Sequence, residues 1–211
     1  FACADSGETG SIEHQLAVFD RVTAELGALG LVPAVRHAAN SAALFQCPSS
    51  HLDAVRPGLA IFGISPRAGM ADDLRPAMCL RSEIAALRDL EPGDSAGYGA
   101  TWTARRRSRI ATIPLGYADG LSRALSNKGQ LLVRGRRVPI VGTVSMDMTM
   151  ADVTDIPGAE LRDEVVALGA QRGPLGADEI TAVEMASHLG TIPWEILTNV
   201  SRRVPRFYRE P

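Results

Sequence analysis

The sequence changes its pattern near Pro76, and that change restricts the fold more than any other feature of the chain. Before it, apolar residues recur at Ile12, Leu16, Val18, Phe19, Val22, Leu26 and Leu29. That spacing of three or four predicts an amphipathic helix over residues 11–29, ended by Gly30. A short apolar strand is expected at 31–35. His37-Ala38-Ala39-Asn40-Ser41 then opens a second short helix, with Asn40 or Ser41 as its cap. Pro57-Gly58 leads into a buried-type strand at 59–64. Alternating strands and helices are the grammar of a parallel sheet or α/β barrel, and this stretch is too short to close a barrel by itself.

After Pro76 the pattern becomes strand, turn, strand. Strands are expected at 79–90, 100–103, 109–115, 131–133, 138–144, 150–153 and 164–168, with a helix at 177–188. Pro92-Gly93-Asp94, Asn127-Lys128-Gly129 and Pro157-Gly158 supply turns. The fold class is therefore α/β plus β: residues 1–75 as the last part of an α/β barrel, and 76–211 as a mostly antiparallel, barrel-like β domain. The segment 65–69 is expected to link them.

With 211 residues, 45% apolar and 22% charged, the chain can hold one large domain or two small ones. A formal net charge of -2 argues against a nucleic-acid or anionic-membrane partner. The local basic run Arg105, Arg106, Arg107 and Arg109 is read as a solvated strand edge. No apolar stretch has the length of a membrane span and no signal pattern is present, which predicts a cytoplasmic protein. Cys3, Cys47 and Cys79 lack metal-like spacing and are expected to be reduced and buried, with no metal site. Phe1-Ala2-Cys3 reads as a strand end entering a loop, so an upstream segment is expected.

Three polar clusters interrupt the β half: Gly97-Tyr98-Gly99-Ala100-Thr101, Gly116-Tyr117-Ala118-Asp119-Gly120 and Gly142-Thr143-Val144-Ser145-Met146-Asp147. Flanking glycines permit a tightly turned backbone that pushes the Tyr98 ring outward, although a Gly-Tyr-Gly pattern alone fits an ordinary surface tyrosine. A phenol takes a proton at neutral pH only where a cationic or hydrogen-bonded setting favours the phenolate. In the first half, Ser41, Gly58 and Leu59 could bind phosphate through a hydroxyl and backbone N–H groups. Equally, Asn40-Ser41 could be only a cap and Pro57-Gly58 only a turn.

These clusters, with Asn40-Ser41 and Arg56-Pro57-Gly58-Leu59, resemble the alanine racemases, enzymes that use pyridoxal phosphate (PLP). The resemblance covers nearly the whole chain and implies the C-terminal portion of that fold, with an (α/β)8 barrel of TIM type. It implies that Tyr98 is one of two catalytic bases and enters the active site of the partner subunit in a head-to-tail homodimer. Ser41, Gly58 and Leu59 would hold the cofactor phosphate, Asn40 would belong to the same cofactor-binding set, Arg56 would face the pyridine nitrogen, and His37 would support Arg56. Tyr117, Met146 and Asp147 would line the entrance or receive the substrate carboxylate, Asp147 by orienting its neighbours. An arginine has no acceptor and holds its proton, so the pyridine nitrogen would stay largely unprotonated and the ring a restrained electron sink.

The same resemblance places the cofactor-binding lysine, which is the second base, and a histidine that bonds the tyrosine upstream of Phe1. Lys128, the only lysine, sits in a hairpin-type turn and does not fit that role. Arg202 stands where some members carry a phosphate-binding tyrosine. The implied reaction is interconversion of L- and D-alanine for cell-wall peptidoglycan. A serine or broad-spectrum racemase, or an inactive truncated paralogue that only binds PLP or a partner, are the alternatives.

Overall fold

The computed structural model describes residues 1–6 and 10–208. It divides into two units, Phe1–Ala77 and Met78–Pro211, a boundary two residues beyond the expected one. The expected linker at 65–69 lies inside the first unit. There Ser65 Oγ donates to the Arg67 carbonyl at 2.6 Å and accepts from the Ala71 N–H at 3.2 Å, folding the segment back on itself. Further on, Ala77 donates its N–H to the Phe62 carbonyl at 3.0 Å.

In the first unit α1 (Ser11–Ala28) follows the predicted periodicity. Glu13 accepts the Gly10 N–H at 2.8 Å, which satisfies a donor that the helix itself leaves open. The helix buries only Ile12, against a small cluster of Ala4, Ala39, Ala42 and Ala43 with Phe1, Cys47 and Met70 packed on it. Helix α2 (Ser41–Gln46) starts where expected, with Asn40 Oδ1 accepting from the Ala43 N–H at 3.0 Å.

Two expected strands of this unit are absent. Residues 31–35 are exposed and irregular, because a strand needs a neighbour and none lies beside them among the described residues. The stretch 59–64 is instead a 3₁₀ turn, Leu59–Phe62, ended by Gly63 at φ 73°. Leu59 is buried while Ile61 is exposed. An apolar run of that length does not distinguish a strand from a helical turn. The tie is broken by Ser41 Oγ, which accepts from both the Gly58 and Ala60 N–H groups and so winds the backbone about one point. Among the described residues the first unit contains one isolated parallel bridge, His37 to Ala54, and no strand.

The second unit carries β1 (Leu80–Glu83), β2 (Ala86–Leu90), β3 (Ser95–Ala96), β4 (Trp102–Thr103), β5 (Ser108–Ile113), β6 (Gln130–Val133), β7 (Arg136–Pro139), β8 (Thr149–Asp152), β9 (Glu164–Gly173) and β10 (Gly176–Ile180). Helices α3 (Ala182–Leu189) and α4 (Pro193–Thr198) follow. All strand pairs are antiparallel, in the order β1-β9-β6-β7 with β10 on β9, then β2-β5-β8, then β3-β4. The three sheets do not close on one another, so the barrel-like expectation is corrected to separate antiparallel sheets.

The single strand expected at 79–90 breaks at Ile84, whose side chain is fully buried. There the chain leaves one sheet for another: Ile84 N–H reaches Asp163 and Ala85 N–H reaches Thr112. The helix expected at 177–188 begins only at Ala182. Residues 176–180 form a hairpin arm on β9, and Thr181 Oγ1 then accepts the Glu184 N–H at 3.1 Å, resetting the backbone to helix. The cysteines also differ from expectation: all three are free, but Cys3 and Cys79 are exposed and Cys47 is half-buried.

Leu131, Leu132 and Val133 are all fully buried, so β6 is covered on both faces and forms the middle of the core with Val165 and Val166 of β9. Trimming Leu132 to alanine is expected to destabilise the fold by about 3 kcal/mol, read as a lowered urea midpoint. At the edge of this core, Arg137 of β7 pairs with Glu184 of α3 and, at 3.0 Å, with Asp178 of β10. The Arg137 guanidinium holds the Glu184 carboxyl below its ordinary range. A depressed folded-state pKa stabilises the fold above the ordinary glutamate range, and that gain disappears as pH falls through the depressed value. Glu184→Gln should therefore cost about 1 kcal/mol at neutral pH, with the urea midpoints of the two proteins converging in acid.

Candidate active site

Tyr98 begins a 3₁₀ turn, Tyr98–Ala100, between β3 and β4. Gly97 and Gly99 lie on either side of it at φ 78° and 73°, backbone that a side chain disfavours. Tyr98 is 76% exposed, as the glycine-bracketed pattern predicts. A Cβ on Gly97 would come within 3.0 Å of the Thr143 nitrogen, and one on Gly142 within 2.6 Å of the Ala96 carbonyl oxygen. The first and third polar clusters thus cross at a distance open only to glycine.

Side chains then tie this crossing. Thr143 Oγ1 donates to the Tyr98 carbonyl at 3.0 Å and lies 3.2 Å from Thr101 Oγ1. Asn127 Nδ2 donates to Thr101 Oγ1 at 3.1 Å, while its Oδ1 accepts the Gly142 N–H at 2.6 Å. Ser126 Oγ accepts the Val144 N–H at 3.0 Å. Asn127, Thr101 and Thr143 had no assigned role in the sequence reading. The turn residue Asn127 was legible only as a breaker, since nothing local indicates that its amide would serve two other loops.

The second and third clusters meet as well. Tyr117 and Ala118 donate their N–H groups to the Ser145 and Met146 carbonyls, each at 3.0 Å. A Cβ on Gly116 would sit 2.4 Å from both of those carbonyl oxygens, so glycine sets this approach too. Tyr117 and Met146 remain roughly half exposed beside each other's loops. Asp119, which is buried, accepts the Gly116 N–H at 2.9 Å and pairs with Arg203 Nε at 2.9 Å. Arg203 Nη2 in turn reaches Asp147 at 2.7 Å. Asp147 is therefore paired with a cation. Asp119 stood in the second polar cluster with no role of its own, and nothing local to either residue indicates that Asp119 and Arg203 pair across the chain.

In the first unit, Arg56 donates from Nη1 to His37 Nδ1 at 2.6 Å and to the His37 carbonyl at 3.0 Å, and from Nη2 to the Ala38 carbonyl at 3.2 Å. A guanidinium only donates, so His37 Nδ1 accepts and the ring proton sits on Nε2. Three of the five guanidinium N–H groups are used in these bonds, leaving two to meet another acceptor. Ser41 Oγ, Gly58 and Ala60 converge as described, with Leu59 between them. Asn40 differs from the others, since its amide caps α2 and its Nδ2 donates to the Phe1 carbonyl at 3.2 Å. It places Ser41 rather than presenting free groups of its own.

Lys128 is exposed in a turn in which the Lys128 and Gly129 N–H groups both return to the Leu125 carbonyl. That turn leads from a 3₁₀ segment into β6, which corrects the expected hairpin. Arg202 is exposed next to Arg203. Among the described residues no helix is long and apolar enough to cross a membrane, and no group of three or more His, Cys, Asp or Glu side chains could hold a metal ion.

The model for the alanine racemase C-terminal domain matches residues 77–208, and that for the alanine racemase N-terminal domain matches residues 1–66. The alanine racemase of Sorangium cellulosum is 59% identical over 210 residues, which is 100% of this chain and 55% of that protein. That of Symbiobacterium thermophilum is 46% identical, over 98% of this chain and 54% of its own length. The chain thus spans about half the length of the curated relatives it matches. Among solved structures, the alanine racemase of Bacillus anthracis with bound L-Ala-P aligns at a TM-score of 0.88 and 36% identity, covering 100% of this chain and 54% of that one. The Bartonella henselae alanine racemase with covalently bound pyridoxal phosphate aligns at 0.81 and 33%, covering 99% and 55%. With both domain models matched in order and relatives this similar from end to end, the chain belongs to the alanine racemase family.

Proposed function

We propose that the whole protein interconverts L- and D-alanine with PLP, as a cytoplasmic head-to-tail homodimer that supplies D-alanine for peptidoglycan. In this reading residues 1–75 complete the cofactor-binding (α/β)8 barrel and 76–211 form the β domain. The observation that carries it is the Tyr98 phenol, held outward on a turn whose backbone is pinned by Thr143 and the Gly97–Gly142 crossing.

The first unit fits PLP by the chemistry of its donors. Ser41 Oγ and the Leu59 N–H would hold the phosphate, joined by the Gly58 N–H once it leaves its bond to Ser41 Oγ, with Asn40 fixing the start of the helix that carries Ser41. Arg56, aligned by His37, would meet the pyridine nitrogen with one of its uncommitted N–H groups and leave that nitrogen without a proton. When bound, PLP supplies an electron sink that makes the Cα proton of an amino acid removable. A guanidinium partner moderates that sink, which favours simple proton return over transamination.

Racemisation needs a proton taken from one face of Cα and returned to the other, so two carriers are required. Tyr98 serves one face, reaching the cofactor of the partner subunit. The other face falls to the lysine that the family resemblance places upstream of Phe1. Tyr117 and the Met146 N–H receive the substrate carboxylate, and Asp147 orients that loop without facing the carboxylate directly.

The test is an alanine racemase assay on the whole protein with PLP, following exchange of the Cα proton in deuterated water. Tyr98→Phe should slow turnover by about 10²–10⁴-fold in at least one direction while PLP still binds, as judged by its absorbance. An unchanged rate in that variant would remove Tyr98 from the mechanism. Lack of PLP binding by the wild-type protein would remove the whole reading.

A further inference from the structure

We infer that Arg203 is a positioning residue that sets both the spacing and the charge of the substrate-carboxylate loops. This rests on the reading that Tyr117 and Met146 receive that carboxylate. One guanidinium joins two carboxylates from different loops: Nε takes Asp119 at 2.9 Å and Nη2 takes Asp147 at 2.7 Å. The other oxygen of Asp119 holds the Gly116 N–H at 2.9 Å, so the chain of contacts runs from the Tyr117 loop through Arg203 to the Met146 loop.

The aim of Arg203 is itself fixed. Its N–H reaches Ser201 Oγ at 3.3 Å, and Ser201 donates its N–H to the Asp119 carbonyl at 3.1 Å. Arg206 wraps the same segment by donating to the Val200, Ser201 and Val204 carbonyls. Gly120 packs so closely here that a Cβ would lie 2.7 Å from the Asn199 carbonyl oxygen. The arginine therefore projects from a built corner, not from a loose tail.

Charge gives the second part of the role. Two carboxylates and one guanidinium leave a net single negative charge beside Tyr117 and Met146. Without Arg203 that charge doubles, and a substrate carboxylate approaching the Met146 N–H meets unscreened repulsion. The loss should fall on binding more than on the chemical step, and salt should reduce it because these groups are partly exposed.

The experiment compares the whole PLP-loaded protein with its Arg203→Gln and Arg203→Lys variants, measuring KM and kcat for alanine at low and high salt. In parallel, the ¹³C-methyl signal of Met146 is recorded without substrate. Arg203→Gln should raise KM by about tenfold at low salt with kcat little changed, the excess shrinking at high salt. The Met146 methyl should shift, and Arg203→Lys should recover most of KM. An unchanged KM with an unshifted methyl overturns the inference, as does a fall in kcat alone. If the glutamine variant does not fold, Arg203→Met, which keeps the aliphatic stem and removes the charge, decides by the same two readouts. A wild-type protein with no racemase activity sinks the functional reading, while the methyl comparison still decides whether Arg203 holds the loop.

Discussion

Strand β9 holds the second unit together. Its first half, Glu164 to Leu168, pairs with β1 on one side and β6 on the other, and its second half carries β10 in a hairpin. A ten-residue strand that serves two sets of neighbours must be apolar on both faces where it is central, and Val165, Val166 and Ala167 are fully buried. The Tyr98 turn, between β3 and β4, packs through Ala96 against Leu90 of β2 and Ile110 of β5, while Tyr117 follows β5 and Met146 precedes β8.

On this scaffold the three polar clusters act as one body. Two backbone crossings, Gly97 over Gly142 and Gly116 over Ser145-Met146, bring the loops nearer than any side chain would allow. Asn127, Thr101, Thr143, Asp119 and Arg203 then lock them with hydrogen bonds and ion pairs. Glycine supplies the approach and polar side chains supply the register. Neither is sufficient alone: an approach without bonds would slide, and bonds without the glycines could not form at these distances.

Much of this could be read from the residues. Most strands after Pro76 begin within two residues of where apolar runs and turn residues place them, but the one expected at 138–144 already ends at Pro139, the one at 164–168 runs on to Gly173, and β3 and β10 were not expected as strands. The outward Tyr98 ring was legible from its flanking glycines. What failed did so for identifiable reasons. The run at 59–64 is apolar throughout, and a distant serine hydroxyl decided its winding. Residues 177–180 are separated from the following helix by the Thr181-x-x-Glu184 cap spacing, in which the Thr181 hydroxyl accepts the Glu184 N–H. The Asp119–Arg203 pair joins positions far apart in the chain, and a charge read alone does not reveal its partner.

The loop around Tyr98 holds its backbone and leaves its ring in the open: the carbonyl is gripped by Thr143, while the phenol extends past the last atom that restrains it. Position is thus written into this unit and direction is not. The unit carries its hydroxyl the way a socket wrench carries a bit: the backbone sets the point from which the ring projects, and the ring keeps the freedom to turn about it.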